Sequence, residues 1–290
     1  MPLLYKTTLR SWYKKHIAQK AAGTPDPKIA TTTNLTQPRA TAQKAAATKK
    51  IYLFCDEFTN YNDTEIGIKS ILLLEALGYE VLMTDHGESG RTWLSKGLVR
   101  EAKKIVDKNI RLLQNLITDD TPLIGIEPSA ILTFKDEYPD LAADDLLEPA
   151  QKLSRNSFLI DDFLAREADR GIIDSSSFTP EKRAVLLHGH CQQKALSSVA
   201  GSVKMLSLPA NYTVTTVPSG CCGMAGSFGY EREHYAISQQ IGELVLLPAI
   251  RKQDASVIIA APGTSCRHQI KDGTGRKALH PVEVLYDALI

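Results

Sequence analysis

The chain repeats itself. Tyr79-Glu80-Val81 and Gly87-Glu88-Ser89-Gly90 return as Tyr212-Thr213-Val214 and Gly220-Cys221-Cys222-Gly223, at a constant offset of 133 residues. Cys55 and Cys191 lie 136 apart, and the same offset relates Ser129-Ala130 to Ser265-Cys266 and Lys135-Asp136 to Lys271-Asp272. Single matches arise by chance, but ordered matches at near-constant spacing across about 80 residues mark a duplicated unit. The 290 residues therefore predict two copies of an α/β unit of about 100 residues rather than one large domain.

Hydropathy gives the same class. Short apolar runs predict strands at Ile51–Cys55, Tyr79–Met83, Leu123–Glu127, Ala184–His188, Tyr212–Val217 and Val257–Ala261. Helical patterns lie between them, over Glu65–Leu77 (closed by Gly78), Gly97–Ile117 and Glu231–Arg251. Strands alternating with helices imply βαβ units and a mainly parallel sheet in each copy. The expected fold is thus a tandem of two similar α/β units behind a flexible N-terminal segment. Its divisions are 1–48, a first repeat over 49–140, a helical connector over 141–182 and a second repeat over 183–290.

Residues 1–50 carry a net charge of +9 and residues 51–290 a net charge of −8, so the total of +1 conceals two different parts. An acidic body argues against nucleic acid as a partner. From Leu9 to Lys20, the residues Leu9, Trp12, Tyr13, His16 and Ile17 recur at helical spacing. This short amphipathic helix reads as docking on a neighbouring domain, as lying on a membrane surface, or as part of a transit peptide. From Ala21 to Thr48, 15 of 28 residues are Ala or Thr. That composition offers too little apolar surface to offset the entropy of ordering and predicts a flexible linker. The longest apolar run, Leu244 to Ile250, contains Pro248 and is too short to span a bilayer. No secretory signal is expected either, which places the chain in the cytoplasm, at most peripheral to the inner face of the membrane.

The two copies differ where chemistry would sit. The second has Cys191, Cys221, Cys222 and Cys266; the first has Cys55, then Glu88, Ser89 and Ala130 at the matching places. An odd total of five cysteines without a secretion signal does not read as a disulfide framework. Each cysteine-bearing loop follows a strand, and in an α/β unit the carboxyl ends of the strands open onto one crevice. Adjacent cysteines chelate one tetrahedral ion poorly but can bind two irons of one cluster, which favours iron–sulfur over zinc. Buried structural thiols and a redox-switching vicinal pair at Cys221-Cys222 are the competing readings. Gly220 and Gly223 flank the pair, where a cluster close to the backbone would exclude a Cβ. His188 and His190 precede Cys191 and are candidates to bond a cluster sulfur or replace a thiolate. Arg267 either offsets the cluster's negative charge or pairs with an acid.

The string Cys221-Cys222-Gly223-Met224-Ala225-Gly226-Ser227-Phe228-Gly229 follows His188-Gly189-His190-Cys191 and precedes Ser265-Cys266-Arg267. In this it resembles the cysteine-rich CCG domain family. That family includes heterodisulfide reductase B subunits, the iron–sulfur subunits of glycolate oxidase and anaerobic glycerol-3-phosphate dehydrogenase, and lactate-utilisation proteins. The likeness is greatest to the C-terminal part of fused FAD-linked oxidases and covers about residues 49–290. Residues 1–48 look like the stretch that follows the ferredoxin-like domain in such proteins.

The resemblance implies a [4Fe-4S]-type cluster, or zinc in some copies, on Cys191, Cys221, Cys222 and Cys266. It also implies an electron-transfer role beside a flavin-dependent 2-hydroxyacid dehydrogenase of lactate or glycolate type, with no catalysis by the chain alone. A flavoprotein and a ferredoxin-like domain or subunit are the implied partners, and FAD is expected on a partner. The chain has neither a Gly-x-Gly-x-x-Gly fingerprint nor a ferredoxin cysteine run of its own. Two departures stand out. Gly263 occupies the first place of the family's frequent Cys-x-x-Cys, and the first repeat keeps only Cys55, so that repeat reads as a scaffold. A zinc-binding, non-redox docking scaffold is the alternative reading of the whole.

Overall fold

The protein is described from a computed structural model covering residues 4–22 and 49–290. Of the stretch read as a linker, Ala21 and Ala22 belong to the helix Leu9–Ala22, and residues 23–48 lie outside the described residues. Two all-parallel sheets carry the fold. The first contains β1 (Lys49–Phe54), β2 (Tyr79–Leu82), β3 (Leu123–Gly125) and β4 (Ser157–Leu159), in the order β2-β1-β3-β4. The second contains β5 (Arg183–Leu187), β6 (Tyr212–Thr216) and β7 (Ile258–Ala260), in the order β6-β5-β7. The orders β2-β1-β3 and β6-β5-β7 are the same arrangement twice, as the sequence repeat requires.

Each predicted strand forms, and a fourth joins the first sheet. β4 lies within the segment read as a helical connector, wedged between helices Leu147–Asn156 and Ile160–Asp169. Three residues are too short to carry a period-two signal, so only pairing with β3 reveals the strand. Past their polar first residues the central strands are apolar because helices cover both faces: Ile51, Leu53, Phe54, Val185 and Leu187 are all buried.

The helices follow their apolar stripes. In helix Val99–Leu113, Ala102, Val106, Asn109, Ile110 and Leu113 face inward, whereas Leu112, off that stripe, is exposed, as is Leu98, which precedes the helix as its N-cap. The helix predicted over Glu231–Arg251 breaks into Tyr235–Leu244 and Leu246–Arg251 at Val245. Pro248 is the cause: it lacks the N–H that would bond the Leu244 carbonyl, and its ring collides with that carbonyl in a continuous helix.

Helix Leu9–Ala22 docks on the first unit. Leu9 is fully buried in the main core, with Trp12 and Tyr13 packed against it. Tyr13 donates to the Val81 carbonyl at 2.9 Å, and His16 and Lys20 both meet Glu75. Gly67 makes room for this contact, since a Cβ there would lie 2.4 Å from Leu9 Cδ2. No helix among the described residues is long and apolar enough to cross a membrane.

The two units share one core. Val282, Leu285 and Tyr286 of the C-terminal helix Pro281–Tyr286 pack into the cluster that holds Ile51, Ile71 and Val81. Helix Ile160–Asp169 lies against helix Ala200–Leu206, where buried Asp161 accepts from Ser202 and Ser202 in turn accepts from Gln193.

Candidate metal centre

Three loops, each leaving the carboxyl end of a second-sheet strand, bring the four cysteines together. After β5, Cys191 opens helix Cys191–Leu196; after β6, Cys221 and Cys222 sit in a turn; after β7, Cys266 lies in the first turn of helix Thr264–Thr274. Exposure falls across the set: Cys191 is exposed, Cys221 half-buried, and Cys222 and Cys266 buried. The Sγ atoms of Cys222 and Cys266 lie 3.5 Å apart. The Gly223 N–H donates to Cys221 Sγ at 3.3 Å.

The thiols lean on one another. A hydrogen bond with Cys221 holds the Cys191 thiol above its ordinary range and draws Cys221 below it. A further bond with Cys221, then one with Cys266, raises Cys222, and the bond from Cys222 lowers Cys266 despite complete burial. The sulfurs of Cys222 and Cys266, 3.5 Å apart, cannot both ionise without a cation beside them.

His188, at the end of β5 and 1% exposed, completes the cluster. A ring nitrogen of His188 and the sulfurs of Cys222 and Cys266 lie within 4.8 Å of one another. Its Nδ1 is 2.8 Å from Ser219 Oγ, while its buried Nε2 has no nitrogen or oxygen partner and faces the Cys266 thiol, which His188 helps to hold below its ordinary range. Soft thiolates joined by an imidazole nitrogen suit zinc or an iron–sulfur cluster and not a hard oxygen-seeking cation. The donor set present fits the implied group.

The other sequence candidates have hydrogen-bond or packing partners of their own. His190 is the N-cap of the Cys191 helix, its Nδ1 accepting the Gln192 N–H at 3.3 Å. Its ring covers Gly263, where a Cβ would come within 2.4 Å of His190 Cδ2 and 3.3 Å of Cys266 Sγ. The place where the family resemblance leads one to look for another cysteine is thus filled by an imidazole. Arg267 follows the acid-pairing alternative. Its guanidinium donates to Asp63 Oδ2 at 2.5 Å and to the carbonyls of Ala261 and Pro262, tying the Cys266 helix to the first unit. At Gly223, where φ is +101°, a Cβ would stand 2.2 Å from the Ser238 carbonyl oxygen. At Gly220 a Cβ would meet no atom of the chain within 4 Å.

Three residues that hold the site were missed by sequence reasoning. Lys194 Nζ donates to the carbonyls of Ser219 and Gly220, at 2.5 and 2.9 Å. Gln269 Nε2 donates to the carbonyls of Cys222 and Ser238, at 3.0 and 2.9 Å. Glu127, from the first unit, accepts the Thr264 N–H at 2.9 Å. Lys194 and Gln269 each lie three residues past a cysteine on the same helix, a spacing that puts them on the cysteine's side.

The matching place in the first unit is closed by other chemistry. Cys55 Sγ donates to Asn60 Oδ1 at 3.5 Å, and burial pushes its thiol up to about 12. Ser89 donates through N and Oγ to Glu57, at 2.9 and 2.7 Å, and Glu88 accepts from Trp93 Nε1. Arg10, from the N-terminal helix, closes this side, donating to the carbonyls of Thr84 and His86.

No family model matches the chain. Three curated proteins give the comparison its direction. D-2-hydroxyglutarate dehydrogenase of Pantoea ananatis is 25% identical over 290 residues, which is all of this chain and 26% of that protein. The C subunit of anaerobic glycerol-3-phosphate dehydrogenase of Escherichia coli K12 is 26% identical over 86% of this chain and 61% of its own length. Lactate utilization protein A of Macrococcus caseolyticus is 24% identical over 81% of this chain and 96% of its own length.

The chain is similar to dehydrogenase components. It spans about a quarter of the D-2-hydroxyglutarate dehydrogenases and 61% of the glycerol-3-phosphate dehydrogenase component. The match covers the C-terminal parts of these relatives and is compatible with a CCG-type domain.

Proposed function

We propose that this chain is an iron–sulfur electron-transfer module of a flavin-dependent 2-hydroxyacid dehydrogenase. It carries one cluster of [4Fe-4S] type on Cys191, Cys221, Cys222 and Cys266. The observation that carries the reading is the chain of contacts from Cys191 through Cys221 and Cys222 to Cys266, with the His188 imidazole beside its inner pair. When bound, such a cluster accepts and releases single electrons. The chain's own residues do the holding: Gln269 and Lys194 fix the turn bearing Cys221 and Cys222, and Glu127 and Arg267 fix the helix bearing Cys266. The exposed Cys191 edge is the side on which a flavoprotein or ferredoxin-like partner would approach, with FAD on that partner. In this reading the first unit is a clamp, and contact with the membrane is peripheral.

Zinc is the second reading, favoured by the close Cys222, Cys266 and His188 set, which suits a single ion in a non-redox scaffold. Anaerobic purification followed by iron, sulfide and zinc analysis, with EPR after reduction, separates the two. Stoichiometric iron and sulfide and a reduced-state signal are expected. A colourless, zinc-loaded and EPR-silent protein would overturn the redox reading. Cys221→Ser is expected to lower metal content and Cys55→Ser to leave it unchanged; equal loss in both contradicts a single site.

A further inference from the structure

The two histidines before Cys191 look alike in sequence, and the fold separates them. His190 spends Nδ1 on the N-terminus of its helix and lays its ring over Gly263. His188 points the other way. Ser219 Oγ, 2.8 Å from Nδ1, fixes the ring and leaves Nε2 facing the sulfurs, with no nitrogen or oxygen partner. The imidazole is 1% exposed, and what faces it is the pair of buried sulfurs on Cys222 and Cys266, themselves 3.5 Å apart. With no nitrogen or oxygen partner, Nε2 has only those sulfurs to face, and all three donor atoms lie within 4.8 Å of one another, close enough to share one ion.

We infer that His188 is a metal ligand. Its Nε2 joins Cys222 and Cys266 on the inner side of the centre, so that the donor set is mixed nitrogen and sulfur rather than thiolate alone. The inference rests on the metal-centre reading above and goes beyond it by adding a donor the cysteine pattern does not contain. Ser219 is then a positioning residue: holding the proton of Nδ1 toward its hydroxyl leaves a lone pair on Nε2, the arrangement that outer hydrogen bonds impose on ligating histidines.

The test uses the full chain, purified anaerobically and grown with 15N-imidazole histidine. Iron and sulfide are measured first, and the reduced protein is then examined by electron–nuclear double resonance. The expected result is a strong 15N coupling typical of a directly bound histidine, lost in His188→Gln and retained in His190→Gln. Ser219→Ala is expected to shift that coupling without abolishing iron binding. A labelled wild-type protein with iron and sulfide but no histidine coupling, or only the weak coupling of a hydrogen-bonded nitrogen, overturns the inference while leaving the cluster reading standing. Retention of the coupling in His188→Gln also overturns it. A wild type that holds neither iron and sulfide nor zinc overturns both; a zinc-loaded wild type overturns the cluster reading, and zinc retained in full by His188→Gln then overturns the inference. Because the wild-type spectrum decides the matter first, a His188 variant that fails to fold leaves the inference open to refutation.

Discussion

One carboxylate caps two helices from different units. Glu127 Oε2 accepts the Thr264 N–H at 2.9 Å and the Thr264 hydroxyl at 3.1 Å, at the start of the helix that carries Cys266. Its other oxygen accepts from Ser129 N and Oγ, at 3.3 and 2.9 Å, at the start of the corresponding helix in its own unit. At the repeat offset of 136, Glu127 corresponds to Gly263, which has no side chain with which to cap. The first unit thus supplies what the second lacks. In Glu127→Gln one acceptor oxygen remains where two are needed, and a buried N–H is left unpaired. The expected loss is about 1–3 kcal/mol, read as a lower midpoint in urea denaturation, with weaker retention of metal. An unchanged midpoint and unchanged metal content would mean the cap is replaceable.

Gly263 itself is predicted to resist substitution. In Gly263→Ala the new Cβ meets the His190 ring at 2.4 Å, closer than packed atoms approach. The ring must move, taking with it the cap on the Cys191 helix. A cost of about 1–3 kcal/mol is expected, as for other overpacked sites, together with a lower affinity for metal. Titration of the metal-free protein with ferrous iron and sulfide, followed by absorbance, checks the second part.

The N-terminal helix is expected to stabilise the first unit through one side chain above the rest. Leu9 is fully buried against Gly67 and Thr59. Leu9→Ala leaves a cavity that the surrounding backbone cannot close, at a cost of about 2–5 kcal/mol. Thermal denaturation should show a lower transition, while Ile17→Ala, on the exposed side, should leave it in place. Equal effects from both variants would contradict the docking of this helix through Leu9.

His86 predicts an acid-sensitive step. Burial first, and the nearby Arg10 second, lower its pKa to about 3, against an ordinary value of about 6.5. The unfolded chain therefore binds a proton that the folded chain refuses. The stability that depends on a neutral His86 is complete above about pH 6.5 and is lost as pH falls toward about 3. Removing the charge in Arg10→Met should raise the His86 pKa and narrow that window. An NMR titration of the His86 ring protons measures it directly; no upward movement in the variant would show that burial alone sets the value.

Much of the architecture was legible because repetition and hydropathy are local properties of a chain. The offset between Tyr79 and Tyr212, the apolar runs around Ile51 and Val185, and the four cysteines of the second copy mark two parallel units and one site without reference to any contact. Short-range rules failed where a neighbour decides the outcome. β4 exists because β3 is there to pair with it, and the break at Val245 reflects Pro248 acting on a helix whose periodicity otherwise continues.

The sequence alone determined which residues are chemically able to bind a metal, since thiol and imidazole groups are fixed by residue type. Tertiary structure decided which of them face one another. His188 and His190 are two residues apart, yet one turns into the sulfur cluster and the other caps a helix. Arg267 neighbours a cysteine but spends its charge on Asp63, 204 residues away in the chain. The partnership of Glu127 with Thr264 spans 137 residues. No pattern of spacing encodes such pairings, because they arise only when two folded units pack and buried polar groups must find partners.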